Sequence, residues 1–82
     1  MQKASEIVTP TGKQVRAARA VLGLTQHQLA EQVGIGVNTL LAFEKGKRPP
    51  YDSTVEKIRS TLEGLGVRFL ATGGVTLESH GP

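Results

Sequence analysis

Apolar residues recur at helical spacing through most of this sequence and alternate with polar residues only near its C-terminal end. Two apolar stripes stand out in the first half of the chain. The first has the spacing i, i+3 and i+7 and consists of Val15, Ala18 and Leu22. The second follows after a break and consists of Leu29, Ala30 and Val33. Because residues three and four apart share a helix face, the stripes predict two amphipathic helices, each with one buried side.

Both helices carry start signals. Thr11 stands three residues before Gln14, and Thr25 stands three residues before Gln28, which is the spacing of a capping box. Gly23 ends the first helix, because glycine readily adopts the left-handed conformation that closes a helix C-terminus. We therefore expect helix 1 to be capped by Thr11 and helix 2 by Thr25.

A third helix follows after a tight turn. Gly34 ends helix 2, and a helix from about Val37 to Lys45 turns Leu40 and Phe43 toward the core. Two short helices joined by a glycine turn have the geometry of a helix-turn-helix, a motif that places its second helix in the DNA major groove. The pattern thus indicates a nucleic-acid-binding element in the middle of the chain.

A fourth helix is predicted from about Thr54 to Gly64. Ser53 and Glu56 have capping-box spacing at its start. Its apolar stripe has the spacing i, i+3, i+7 and i+10 and consists of Val55, Ile58, Leu62 and Leu65. This stripe predicts a core-facing side along the whole helix.

The period changes in the C-terminal segment. Two β-prone stretches, Val67–Ala71 and Val75–Glu78, flank the turn Thr72–Gly74, so a short hairpin is expected. An isolated hairpin is marginal in water. It is expected to pair with the hairpin of a second copy, giving a dimer through a shared small sheet, and the competing arrangement packs it against helix 4 of its own chain. The dimer interface would consist of Phe69, Leu70, Val75 and Leu77.

Several short motifs occur in order and at unbroken spacing: Leu22-Gly23-Leu24-Thr25-Gln26, Leu29-Ala30, Val33-Gly34 and Phe43-Glu44-Lys45-Gly46-Lys47-Arg48-Pro49. On these motifs the chain resembles the lambda-repressor/Cro-like, or XRE, family. The resemblance implies a five-helix, usually dimeric DNA-binding domain that regulates transcription. The chain departs from the family at Gly36, where a Ser or Thr cap is usual, and in its C-terminal strands. The expected fold is therefore mainly α, a lambda-repressor-like four-helix helix-turn-helix domain with a short C-terminal β-hairpin used for dimerisation.

The resemblance places the outward face of helix 3 in the major groove. Base contacts are expected from Val37, Asn38, Thr39, Leu41 and Ala42. Asn38 is the best candidate, because its amide can pair with both N6 and N7 of adenine, and the apolar residues can pack on thymine methyl groups. An ordinary helix surface with scattered apolar side chains is the alternative interpretation of the same residues.

Phosphate contacts are expected around this helix. The resemblance places a phosphate-contacting glutamine at Gln26, where the N-terminus of helix 2 contributes backbone N–H groups. Lys45, Lys47 and Arg48 cluster just past helix 3. Such contacts position a protein on DNA without specifying sequence, and a solvated basic turn is the alternative interpretation.

The resemblance also implies an internal ion pair between Arg19 and Glu44 that ties helix 1 to helix 3. Arg19 is then a structural residue rather than a DNA contact. Removal of either partner would leave a partly buried charge without its counter-ion. Two further basic residues of helix 1, Lys13 and Arg16, occur without an acid among them.

Composition narrows the choice of function. The 82 residues carry a net charge of +3, which favours a polyanionic partner only mildly. The chain has no Cys, which excludes disulfides, thiolate nucleophiles and Cys-ligated zinc. The sequence shows no catalytic constellation, metal-ligand spacing or cofactor motif, and no apolar run of membrane-spanning length. We therefore expect no enzyme activity, no cofactor, no metal and no membrane partner.

Four segments are expected: a flexible N-terminal arm (1–10), the helix-turn-helix domain (11–65), the C-terminal strands (66–78) and a disordered tail (79–82). The expected function is sequence-specific regulation of transcription, most simply by a homodimeric repressor that binds a palindromic operator in double-stranded DNA. The alternative is an antitoxin that binds a toxin protein and represses its own operon. Either protein would lie in the cytoplasm, associated with the nucleoid, and would be encoded by a prokaryote or a phage.

Overall fold

The computed structural model describes residues 9–78 and contains four helices followed by an antiparallel pair of strands. The elements are α1 (Gly12–Leu22), α2 (Gln26–Val33), α3 (Val37–Glu44), α4 (Asp52–Gly64), β1 (Val67–Phe69) and β2 (Val75–Leu77). The prediction of a mainly helical domain with a C-terminal hairpin is confirmed. Of the expected arm, only Thr9 and Pro10 are described, and Pro10 is buried. The rest of the arm and the expected tail 79–82 lie outside the described residues.

The first two helices begin and end as their sequence signals predict. The Thr11 hydroxyl accepts a hydrogen bond from Gln14 N, and the Gln14 side chain accepts one from Thr11 N, which completes a capping box. Thr25 and Gln28 form the same reciprocal pair at the start of α2. Helix α2 closes at Gly34, whose φ of +87° is a left-handed conformation that disfavours a Cβ.

The start of α4 differs from the prediction. The helix begins at Asp52, with Tyr51 as its N-cap, and no side chain of the described residues caps it. The predicted Ser53–Glu56 capping box is wrong, because Ser53 already lies within the first turn of the helix. The Glu56 carboxylate instead accepts a hydrogen bond from Arg59 at 2.6 Å. This bond, assisted by the charge of Glu63, raises the pKa of Arg59 above its ordinary value.

One hydrophobic core joins all six elements. Its buried members are Val15, Ala18, Leu29, Ala30, Val33, Leu40, Phe43, Val55, Ile58, Leu62, Val67 and Phe69. The predicted inward faces of the four helices are confirmed except at Leu65, which is 39% exposed because it lies beyond the last turn of α4. Helix α3 packs on both α1 and α2, so its orientation is set by two neighbours.

Gly12 permits a close approach between the start of α1 and the end of α3. A Cβ at this position would overlap the carbonyl oxygen of Phe43 and lie 2.9 Å from Cα of Glu44. These are backbone atoms, which cannot move aside as the tip of a side chain can. No sequence pattern indicates this contact, because the two segments are far apart in the chain.

The hairpin packs on its own chain. Val67 pairs with Leu77, Arg68 with Thr76 and Phe69 with Val75. Strand β1 lies against α4, as in the competing arrangement, and β2 lies against α1. Phe69, which was expected at a dimer interface, is buried in this intramolecular core, because it faces inward from β1 and retains only 6% exposure.

Gln14 fastens the hairpin to α1. In addition to its capping role, its side-chain Nε2 donates hydrogen bonds to the carbonyl oxygens of Leu70 and Gly74, both at 2.9 Å. These carbonyls lie on the two sides of the hairpin turn, where Leu70 N also donates to Gly74 O. Both hydrogens of the buried amide nitrogen are thus donated, and its oxygen accepts the bond from Thr11 N. This satisfies the requirement that a buried polar group be hydrogen-bonded.

Candidate nucleic-acid interface

Helix α3 has one face fixed in the core and one face open to solvent. Leu40, Phe43 and Glu44 are buried. On the remaining surface Asn38 and Thr39 are exposed. The apolar residues expected to contact bases are half-buried: Val37, Leu41 and Ala42. All five expected base-contacting residues thus retain accessible surface on one short helix.

The turn before α3 determines how that helix is presented. Ala30 O accepts hydrogen bonds from both Gly34 N and Ile35 N, at 2.9 and 3.0 Å, which turns the chain sharply after α2. Helix α3 then begins at Val37 with Gly36 as its N-cap. A glycine has no side chain to bond the free N–H groups of the first turn. The backbone therefore enters the helix without a side-chain cap, as the departure from the family pattern predicts.

A buried polar cluster joins α3 to the two helices before it. Arg19 makes a two-pronged ion pair with Glu44, with Nε to Oε2 at 3.0 Å and Nη2 to Oε1 at 3.2 Å. Arg19 Nη1 also donates to the carbonyl oxygen of Leu24. The Glu44 side chain is only 2% exposed. Paired geometry and several hydrogen bonds offset the cost of burying these charges.

Gln26 belongs to the same cluster. Its side-chain Nε2 donates to Glu44 Oε1 at 3.1 Å. A glutamine amide nitrogen carries two hydrogens, so the bond to Glu44 uses one of them. The expected phosphate-contacting residue is therefore half-buried and held by the end of α3, at the N-terminus of α2. Gln26 and Glu44 were expected to have separate roles, and no sequence pattern indicates the bond between them.

The basic residues past α3 remain on the surface. Lys45, Lys47 and Arg48 are exposed. A groove runs between α3 and the following segment, lined by Asn38, Thr39, Ala42, Lys47, Arg48, Pro49 and Pro50. Arg48 is paired at 3.1 Å with Asp52, and both side chains are largely exposed. An exposed pair of this kind is weak, so Arg48 is held only loosely by the carboxylate.

Arg16 was not assigned a site from sequence, yet it lies beside the expected interface. It lines a second groove together with Arg19, Gln26, Leu41, Glu44 and Lys45. Arg16 is exposed, whereas Arg19 on the same helix is half-buried in its ion pair. The i, i+3 spacing of the two arginines was the available signal, since it places both on one side of α1. The basic surface thus extends from α3 onto α1.

Two classes of site receive no structural support in residues 9–78. No helix there is long and apolar enough to cross a membrane. No group of three or more His, Cys, Asp or Glu side chains in the same range is arranged to hold a metal ion.

Comparison with known proteins agrees with this geometry. Residues 15–68 match the helix-turn-helix family. The chain is 43% identical over 44 residues to the cryptic phage CTXphi transcriptional repressor RstR of Vibrio cholerae, covering 54% of this chain and 40% of that protein. It is 50% identical over 36 residues to an uncharacterized HTH-type transcriptional regulator of Methanothermobacter thermautotrophicus, covering 44% of this chain and 52% of that protein. The alignments thus span about half or less of each relative.

Proposed function

The chain belongs to the helix-turn-helix family, and from this premise we propose that it is a sequence-specific DNA-binding regulator of transcription, most simply a repressor. In this proposal α3 enters the major groove and its accessible face contacts base edges. The names of both relatives refer to transcriptional regulation. The proposed location is the cytoplasm, on nucleoid DNA.

The observation that carries the proposal is the two-sided character of α3. Leu40 and Phe43 fix the helix in the core, while Asn38 and Thr39 project polar groups into solvent. A polar amide on a rigidly held helix is suited to bidentate contact with adenine. The half-buried residues beside it are apolar, so few neighbouring side chains would compete with DNA for hydrogen bonds to this amide.

The surrounding charges support the same orientation. Lys45 and Lys47 are exposed past the end of α3, and Arg16 is exposed on α1 across the groove that contains Leu41. In this proposal these cations neutralise phosphates near the inserted helix. Gln26, held by Glu44, would donate its second amide hydrogen to a phosphate oxygen.

Two copies of the protein are proposed to bind together. One short helix offers few base contacts, and dimers of this motif engage two half-sites one helical turn, about 34 Å, apart. A twofold-symmetric protein requires an operator with matching symmetry. We therefore propose a homodimer on a palindromic operator.

The test is DNA binding measured by fluorescence anisotropy across a salt series. The DNA would come from the region just upstream of the gene and, independently, from selection out of a random library. Asn38→Ala should weaken binding to the selected site by about 5- to 150-fold, since a bidentate base contact is worth about 1–3 kcal/mol. Gln32→Ala is the matched control, because it removes an exposed amide from α2 rather than from α3.

The competing outcomes are distinct. If both variants bind the selected DNA like the wild type, Asn38 does not contact bases and the proposed role of α3 is wrong. If the wild type binds all DNA weakly and without sequence preference, the antitoxin alternative gains support. Co-purification with a toxin protein would then be the next measurement.

A further inference from the structure

Within residues 9–78, strand β2 pairs with β1 on one edge and with no strand on the other. Leu70 N donates to Gly74 O and Glu78 N donates to Gly66 O across the hairpin. The facing pairs Leu70–Gly74 and Gly66–Glu78 are therefore hydrogen-bonded. In an antiparallel ladder, hydrogen-bonded pairs alternate with non-bonded pairs. The pair midway between these two, Arg68–Thr76, is thus also hydrogen-bonded. The backbone N–H and C=O groups of Val75 and Leu77 therefore point away from β1.

This edge is complementary to itself. If two copies of β2 run antiparallel about an axis at Thr76, then Val75 of one copy faces Leu77 of the other. Each of these facing pairs has outward N–H and C=O groups, so four backbone hydrogen bonds form between the copies. No other antiparallel register that keeps the same side-chain faces aligned pairs all three residues of the strand.

The side chains also fit this register. Leu77 lies on the same sheet face as the buried Val67 and Phe69, yet it is 47% exposed. In the paired arrangement it would be covered by Val75 of the second copy, which is itself only half-buried. Cross-strand contacts between β-branched and other apolar side chains stabilise such pairs.

Charge does not oppose the pairing. Charged residues and prolines commonly block pairing at a free strand edge. Strand β2 contains neither. The nearest carboxylate, Glu78, is held in its own chain by Arg68 through two hydrogen bonds of 3.0 and 3.1 Å. In the twofold register the two Glu78 residues are four positions apart, about 13 Å.

We propose that β2 pairs with β2 of a second copy about a twofold axis at Thr76, giving a four-stranded sheet in the order β1-β2-β2-β1. This deepens the homodimer within the proposed function and rests on it for its biological role. The hairpin is already fixed before pairing, because Gln14 bonds both sides of its turn and Phe69 anchors it in the core. The ordering cost of association is thereby reduced.

Disulfide cross-linking tests the register directly. The chain has no cysteine, so Thr76→Cys adds one thiol per copy. At a non-bonded antiparallel position the two Cα atoms lie about 4.5 Å apart, which a disulfide can span. We expect rapid formation of a covalent dimer under mild oxidation. Thr72→Cys, an equally exposed threonine in the turn, is the matched control and should form no covalent dimer. Equal cross-linking of both variants would overturn the proposal.

A proline substitution tests the edge without a thiol. Leu77→Pro removes an outward N–H but none of the hairpin's own hydrogen bonds, and proline is tolerated at such edge positions. Sedimentation equilibrium should show a dimer dissociation constant about tenfold or more weaker, since two intermolecular bonds are lost. Leu77→Ala is the control, because it shortens the side chain and keeps the N–H, so a further loss in the proline variant isolates the backbone bond. An equal effect of the two substitutions would contradict edge pairing.

The same samples separate this inference from the proposed function. A Leu77→Pro protein that is monomeric, remains folded and still binds a single half-site supports both. A dimer that survives Leu77→Pro, or a wild type that stays monomeric with and without its selected DNA, rejects edge pairing and leaves DNA recognition intact. Loss of sequence-selective binding in the dimeric wild type would instead count against the proposed function alone.

Discussion

At the scale of single residues, two buried polar side chains hold separate parts of the molecule together. Gln14 joins α1 to the hairpin, and Glu44 joins α3 to α1 and α2. Each is surrounded by partners that use its hydrogen-bonding groups. Truncation of such a residue leaves its partners unsatisfied, and this costs more than the net value of the bonds themselves.

We predict that Gln14→Ala lowers the free energy of unfolding by about 2 kcal/mol, because three backbone groups lose a hydrogen-bond partner. Thermal and urea unfolding would measure the change. Amide hydrogen exchange at Leu70 and Gly73 should accelerate more than exchange within α2, since the hairpin loses its fastening. Gln32→Ala, an exposed amide on α2, should change stability by less than about 0.5 kcal/mol. If Gln14→Ala unfolds at the same temperature as the wild type, the proposed fastening role of Gln14 is wrong.

We predict that Glu44→Ala destabilises the protein by about 3 kcal/mol, because Arg19 would retain a charge without its carboxylate partner. The double variant Arg19→Leu with Glu44→Leu should recover much of this loss, since a neutral pair of similar volume carries no unpaired charge. The double-mutant cycle is measured by urea unfolding. Equal destabilisation in the single and double variants would show that packing, rather than charge, dominates at this site.

At the scale of elements, the helix ends show what local sequence determines. The two Thr–Gln capping boxes and the glycine that closes α2 were predicted correctly, because each depends on residues within one turn. The start of α4 was not, although Ser53 and Glu56 have the same spacing. There Arg59 competes for Glu56 from the next turn, and spacing alone does not show which partner prevails.

The start of α3 offers a stabilising substitution. Gly36 has φ −69° and ψ 148°, which any residue adopts, and a Cβ there would meet nothing within 4 Å. We predict that Gly36→Ser raises stability by about 0.5–1 kcal/mol, through a cap hydrogen bond and a less flexible unfolded chain. The melting temperature should rise by about 3–6 °C.

The control is two residues earlier. Gly34→Ser places a side chain at φ +87° and should lower the melting temperature, because left-handed backbone is strained for L-residues. If Gly36→Ser also lowers it, the absence of a cap is not a weakness of this helix.

The candidate site was predictable only where one helix suffices to define it. The accessible face of α3, with Asn38 and Thr39, follows from the spacing of Leu40 and Phe43. The bond between Gln26 and Glu44 and the position of Arg16 beside Leu41 depend on how three helices pack. Burial of Phe69 has the same origin, since a three-residue strand does not reveal which surface covers it.

At the scale of the whole molecule, basic groups border α3 and acidic groups lie on α4. Lys45 and Lys47 are exposed on the segment after α3, whereas Glu56 and Glu63 of α4 are engaged with Arg59. Asp52, the first residue of α4, is paired with Arg48 of the basic segment. This pair lies at the boundary between the two charged surfaces.

We predict that Asp52→Asn strengthens DNA binding several-fold at low salt, because it removes a negative charge and frees Arg48 for phosphate. The gain should shrink as salt is raised, since exposed charges are screened. Anisotropy titrations at several salt concentrations measure it. Glu63→Gln changes the charge equally at the far end of α4, about 16 Å away along the helix axis, and should have little effect. A gain of the same size from both variants would indicate a general charge effect.

The contacts at the start of α1 have a consequence for geometry. Gly12 touches the end of α3, and Gln14, two residues later, holds the turn of the hairpin. The surface proposed to meet DNA and the strand proposed to meet a second copy are therefore mounted on the same helical turn, with no linker between them. A dimer of such molecules would hold its two DNA-contacting surfaces at a fixed separation. It would select the separation between half-sites as strictly as the bases within them, so that insertion of a single base pair at the centre of an operator would be as damaging as a change in its sequence.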